Sequence, residues 1–94
     1  MRAKHRVSSD PLQTIPGVGP SIARDLRQLG VRRVADLKGK SPERLYARLG
    51  EIRGVRQDPC LLYTFRCAVY FATTSRPSAE RLKWWRWKDP KASA

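Results

Sequence analysis

Apolar residues recur along this chain at helical rather than strand spacing. Ile22, Ala23, Leu26 and Leu29 fall three or four apart, and Arg24, Asp25, Arg27 and Gln28 form a wet face between them. That periodicity predicts an amphipathic helix from Pro20 to about Leu29, ended by Gly30 in the left-handed conformation. Upstream, Asp10-Pro11 pairs a capping residue with a proline suited to a first helical position, which predicts a short helix over Pro11–Thr14. Val31, Val34, Ala35 and Leu37 predict another short helix near 32–37, and Lys38-Gly39-Lys40 reads as a turn. Ser41-Pro42-Glu43 combines a cap, a proline and a first-turn acid. It predicts a helix Pro42–Leu49 that buries Leu45, Tyr46 and Leu49. Gly50 and Gly54 break the pattern, so 50–57 is expected to be an ordered loop or short turn.

Asp58-Pro59 repeats the start signal before Cys60-Leu-Leu-Tyr-Thr-Phe-Arg-Cys-Ala-Val-Tyr-Phe-Ala72, a run apolar nearly all round. Periodicity alone admits helix or strand there. The length of the run and its start favour a central buried helix. Arg66 interrupts it and is expected to reach the surface or to meet an acid such as Glu51 or Asp58, because a buried unpaired guanidinium is costly. Thr73-Thr-Ser-Arg-Pro77 is a breaker, and Ser78-Ala-Glu80 opens a last short helix ending at Trp84-Trp-Arg-Trp-Lys88. With no alternating strand pattern, the chain reads as all-α: a compact bundle of five to six short helices in one domain over 10–89. Residues 1–9 are expected to be a disordered basic segment and 90–94 a frayed end.

The 94 residues suit one small domain with a single modest core. Charge changes the picture more. Twenty Lys and Arg stand against eight Asp and Glu, a formal net charge of +12. That imbalance points to a polyanionic partner: DNA, RNA or an anionic membrane surface. The basic residues are spread along the chain, so a folded basic surface is expected; the alternative is a solvated surface without a specific partner. The start Met1-Arg-Ala-Lys-His-Arg-Val7 lacks the apolar core of a signal peptide, and no apolar run reaches transmembrane length. A cytoplasmic protein without a membrane partner is therefore expected.

Candidate chemistry is sparse. Cys60 and Cys67 would be about 10 Å apart in rise along one helix, too far to bridge, and are expected to be reduced and buried. With the single His5 they do not make a zinc site, and His5 is read as solvated. The acids are scattered, with Asp10, Asp25, Asp36, Asp58 and Glu43 at caps or on exposed faces, so no nuclease metal pair is expected. There is no phosphate-binding P-loop. No catalytic residue, metal or cofactor is expected, and the chain is not read as an enzyme.

The most informative stretch is Leu12-Gln-Thr-Ile-Pro-Gly-Val-Gly-Pro-Ser-Ile-Ala23. Gly17 and Gly19 allow a sharp turn and close approach to a ligand, and Pro20 is placed to start a helix. The first N–H groups of that helix would then face outward at the positive end of its dipole, a ready anion site. Leu12, Ile15, Pro16, Gly17, Val18, Gly19, Ser21, Ala23 and Leu26, with Leu29-Gly30 closing the second helix, resemble the helix-hairpin-helix motif. The resemblance implies sequence-independent DNA binding through backbone phosphates, in a SAM-like arrangement of helices. The implied phosphate site comprises Gly17, Val18, Gly19, Ser21, Ile22, Arg24 and Arg27, with Val18 resting on a sugar. Secondary basic contacts are expected from Arg32, Arg33, Lys38 and Lys40. In some relatives the hairpin carbonyls hold a monovalent cation; here these would be Gln13, Ile15 and Val18. The alternative is that the glycines merely join two packed helices.

Further segments, among them Val34-Ala-Asp-Leu37, Pro42-Glu-Arg-Leu-Tyr46, Phe65-Arg-Cys-Ala-Val-Tyr70 and Leu82-Lys-Trp-Trp85, resemble a family of small bacterial helix-hairpin-helix proteins known as pathogenicity-locus or mitomycin-resistance proteins. That likeness implies a role in DNA repair or damage resistance and supplies no reaction. Residues 31–49 would form a second, degenerate unit, its phosphate contacts coming from Lys38, Lys40, Arg44 or Arg48. Trp84, Trp85 and Trp87 alternate with Lys83, Arg86 and Lys88. They are read first as rings closing a small core. Stacking on unpaired bases and contact with a protein or a lipid interface are the other readings. DNA is the expected partner, and a protein-interaction adaptor using the Trp-rich end is the competing function.

Overall fold

The computed structural model describes residues 11–88. Three α-helices form: α1 (Pro20–Gln28), α2 (Pro42–Arg53) and α3 (Pro59–Thr73). Short 3-10 turns at Pro11–Thr14, Val34–Leu37, Glu80–Leu82 and Trp84–Trp87 complete the described chain, which contains no strand. The all-α expectation holds. The expected count of five to six helices does not: three of those segments are single 3-10 turns or pairs of them, too short to hold an α-helix between their breakers. The disordered N-terminus, the frayed end, the Asp10 cap and His5 lie outside the described residues.

Helix α3 forms the middle of the fold. It packs against α2, the 34–37 turn and both C-terminal turns. Asp58 caps it, accepting the Cys60 N–H at 2.9 Å. Phe65, Cys67 and Ala68 are fully buried, as the all-round apolar run requires. Around them Leu12, Ile15, Val18, Ala23, Leu26, Val31, Leu37, Leu45 and Leu49 complete one apolar cluster. The α1 stripe is therefore as predicted, with Ala23 and Leu26 inward and Ile22 and Leu29 at its margin. Gly30, at φ +88°, ends α1, and the Val31 N–H returns to the Leu26 carbonyl at 2.9 Å. That six-to-one closure is the usual left-handed helix stop.

Four local readings need correction. Helix α2 runs through Gly50 to Arg53 and stops at Gly54, which is left-handed at φ +69°. A tertiary contact overrides the glycine: Arg53 reaches back to α1, pairing with Asp25 and donating to Gln28 Oε1 at 3.1 Å. Asp25, read as wet, is accordingly 5% exposed. Cys60, read as buried, is exposed because it lies in the first turn of α3, whereas Cys67 is buried. Burial raises the pKa of the Cys67 thiol; desolvation, then the Asp58 carboxylate beside it, raises that of Cys60. Arg66 does meet an acid, but it is Glu43 of α2, at 3.0 Å, rather than Glu51 or Asp58. Its guanidinium also donates to the Trp87 carbonyl at 2.7 Å. One side chain thus pins α3 to α2 and to the C-terminal turn.

The C-terminal turns are held further by Glu80, which pairs with Arg86 and with Lys83. Hydrogen bonds from Arg86 and then Lys83 hold its carboxyl below the usual glutamate range. Asp36 is held low in the same way, chiefly by the backbone N–H groups of Arg32 and Arg33.

Two measurements check this account. Asp25→Ala, which removes the buried ion-pair partner of Arg53 and leaves Arg53 the amide oxygens of Gln28 and Gln57, is expected to lower stability by about 1–2 kcal/mol in urea denaturation. The folded state favours ionised Glu80. Its contribution is therefore complete above the unfolded value of about 4.3 and is lost as pH falls through the lower folded value. Below pH about 4 the tryptophan emission of the wild type should shift through a step that Glu80→Gln lacks. Asp36 titrates in both proteins and cancels in the comparison.

Candidate nucleic-acid interface

The hairpin over residues 15–19 is built from a tight turn and a helix start. The Ile15 N–H donates to the Leu12 carbonyl at 3.2 Å, and the Val18 N–H to the Ile15 carbonyl at 3.0 Å. Gly17 turns the chain at φ +87°, a conformation that side chains with a Cβ adopt only under strain. Gly19 then enters α1 in extended conformation, with Pro20 at its first position. Ile15 and Val18 point into the core, which leaves Gly17, Pro20 and Ser21 exposed.

The result is a bare helix start. Among the described residues no hydrogen bond takes up the N–H groups of Gly17, Gly19, Ser21 or Ile22. The other two helices differ: Ser41 Oγ accepts the Arg44 N–H at 3.2 Å, and Asp58 caps α3. Helix α1 has no side-chain cap and no acid in its first turn. The positive end of its dipole is thus uncompensated by its own residues. Arg24 and Arg27 are exposed on the same helix, one and two turns on. Chemically the corner offers several amide donors and a cation to an anionic oxygen.

Not every expected site residue belongs here. Val18 is only 5% exposed and its N–H is already spent on Ile15, so neither side chain nor amide is available for a sugar or phosphate. An apolar side chain opposite an exposed glycine pair gains more from the core than from water. The Ile15 carbonyl, one of the oxygens implied for a cation, already accepts from Val18. Arg32, Arg33, Lys38 and Lys40 are exposed, and the first two donate their backbone N–H groups to Asp36. Lys40 sits with Arg44 and Arg48 around a separate shallow cleft of about 350 Å³, floored by Gly39, Ser41 and Leu45. Arg48 also lies 3.7 Å from Glu51. Among the described residues no group of acids, cysteines or histidine could hold a metal ion. No described helix is long and apolar enough to cross a membrane.

One neighbour of the hairpin escaped the sequence reading. Trp84 lies against Gly17, so that a Cβ there would sit 3.3 Å from the ring carbon Cδ1 and 3.9 Å from Thr64 Cγ2. Trp87 tilts against Tyr70, with ring centroids 5.4 Å apart, and its indole N–H donates to the Arg81 carbonyl at 2.8 Å. Both rings are half-buried, in keeping with the core-closing reading; Trp85 is 50% exposed. Only the shared small size of Gly17 and Thr64 could have hinted at a ring between them.

Comparison with known proteins gives this geometry its family. The family model described as Cdd1, pathogenicity locus, matches residues 5–92. The chain belongs to that family. It is also 41% identical over 58 residues to the mitomycin resistance protein McrB of Streptomyces lavendulae. That match covers 62% of this chain and 55% of the relative, so the chain spans about half of that protein's length. No solved structure matches the chain. Within this Cdd1 family member the two hairpin glycines are not equivalent. Gly17 is left-handed and roofed by Trp84, whereas Gly19 has an ordinary φ of −97° and open space where a Cβ would go. Gly17→Ala is expected to lower stability by about 1–2 kcal/mol, and Gly19→Ala by less than about 1 kcal/mol. Thermal denaturation of the two variants checks the order.

Proposed function

We propose that this protein is a sequence-independent DNA-binding module, with the 15–24 corner acting as a helix-hairpin-helix phosphate site. The observation that carries the reading is the uncapped start of α1 and the turn before it, where no hydrogen bond among the described residues takes up the N–H groups of Gly17, Gly19, Ser21 and Ile22. Backbone amides fix a phosphate oxygen by geometry and read no base. Arg24 and Arg27 add charge beside the corner, and Lys40, Arg44 and Arg48 form a second basic cluster for a neighbouring stretch of backbone. The net charge of +12 favours rapid, salt-sensitive association with a polyanion. Any monovalent cation on the Gln13, Ile15 and Val18 carbonyls would support the hairpin and play no chemical part. No reaction is proposed; among the described residues no group of acids, cysteines or histidine could hold a metal ion. The relative named for mitomycin resistance supports placing such a module in DNA repair or damage resistance. A protein-adaptor role has one observation in its favour, the exposed Trp85.

Salt separates the two. Binding to a labelled duplex of arbitrary sequence, followed by fluorescence anisotropy, should fall with a log–log slope near −0.9 per phosphate neutralised. About four phosphate contacts would lose on the order of 100-fold between 50 and 200 mM salt. Gly19→Ala, whose added methyl stands where a phosphate would approach, should weaken duplex binding about tenfold while retaining the fold. Arg24→Ala should lower the slope by about one. Affinity unchanged in Gly19→Ala would remove the corner from the binding mechanism.

A further inference from the structure

Two features far apart in sequence meet in space. The hairpin near the start of the described chain and the tryptophan turn near its end share the contact of Trp84 with Gly17. The three tryptophans are not alike. Trp84 lies on the hairpin, and Trp87 is fixed by Tyr70 and by its bond to the Arg81 carbonyl. Trp85 stands perpendicular to Trp84, at 88° with ring centroids 5.8 Å apart, and half of its surface is open. An indole left in water contributes little to a small core, and Trp84 already closes the hairpin. The two rings meet edge to face rather than stacked in parallel, and half of the Trp85 surface remains open to another planar group.

We infer that the corner and Trp85 form one site for DNA carrying an unpaired nucleotide. The corner amides hold a backbone phosphate, and a base from the same strand stacks on the Trp85 indole. The inference rests on the proposed phosphate reading and adds the substrate class. In an intact duplex each base is already stacked on its neighbours and paired across the helix, so an exposed indole finds no free face. At an overhang, a gap or a single strand it does, and base–aromatic stacking is strong and tolerant of sequence. The nearby charges fit this division of labour. Lys83 and Arg86, which flank the ring pair, are engaged by Glu80, so the distinctive feature of this end is its ring.

The test compares a flush duplex with the same duplex bearing a short single-stranded overhang, both of arbitrary sequence, by fluorescence anisotropy at one salt concentration. The wild type is expected to bind the overhang substrate about tenfold more tightly, the effect of roughly one stacked base. Trp85→Ala should abolish that preference while keeping duplex affinity and the wild-type thermal midpoint. Trp85→Phe should retain part of the preference. Equal affinity of the wild type for both substrates, or a preference that survives in Trp85→Ala, overturns the inference. In either case the phosphate reading stands, provided that Gly19→Ala still loses duplex binding. Failure of the wild type to bind either substrate at low salt sinks both. Should Trp85→Ala lower the midpoint, Trp85→Leu, which keeps apolar bulk without a π face, decides: loss of the overhang preference at unchanged duplex affinity supports stacking, and its retention overturns the inference.

Discussion

The seat of Trp84 on Gly17 is the constraint on which the rest of this structure depends. A left-handed residue without a Cβ lets an indole ring lie on the hairpin itself. That contact ties the N-terminal hairpin to the C-terminal turn. The turn is in turn fixed by Arg66, which reaches from α3 to both the Trp87 carbonyl and Glu43 of α2. Hairpin, the Trp84–Trp87 turn, α3 and α2 therefore form one connected path of contacts. Helix α1 depends on tertiary contacts of this kind, the direct Arg53–Asp25 pair to α2 among them. At nine residues it is far too short to be stable alone, and its buried face of Ala23 and Leu26 has to be held against a core assembled by the other elements.

On the proposed reading, the contacts that hold the hairpin also bear on binding. A phosphate captured by amides that are already fixed costs less ordering than one captured by mobile side chains. The turn bonds from Ile15 and Val18 spend two N–H groups internally and leave those of Gly17 and Gly19 without a bond among the described residues. Burying Val18, which removes it as a ligand contact, is what keeps the turn in that shape.

Much of the local architecture was legible in the sequence. The Asp58-Pro59 and Ser41-Pro42 starts, the α1 stripe and the Gly30 stop follow from capping chemistry and periodicity, which are short-range and act alike in any context. The uncapped entry into α1 at Gly19-Pro20 followed from the same local chemistry. What could not be read were long-range pairings. Nothing near Asp25 announces Arg53, 28 residues away, so Asp25 looked wet and α2 seemed to end at Gly50. Likewise Arg66 found Glu43 rather than either acid expected, because the choice depends on how α2 and α3 cross. Trp84 on Gly17 is the extreme case, joining opposite ends of the domain through shape alone. Val18 was misjudged for a different reason: a hydrophobic residue between two glycines suits a ligand contact and a core contact equally until the core is known.

The arrangement also separates three properties that a basic protein might otherwise confuse. Charge spread over the surface gives affinity for any polyanion, without register, and weakens as salt rises. Lysine and arginine side chains such as Lys40, Arg44 and Arg48 can follow a phosphate wherever the strand places it. Amides cannot move, so the α1 start fixes one point and one direction of approach. An indole face recognises neither charge nor sequence, only the availability of a base. On the proposed reading, a module of this kind would choose among DNA structures while remaining indifferent to their sequence, since none of the three proposed kinds of contact reads the edge of a base pair.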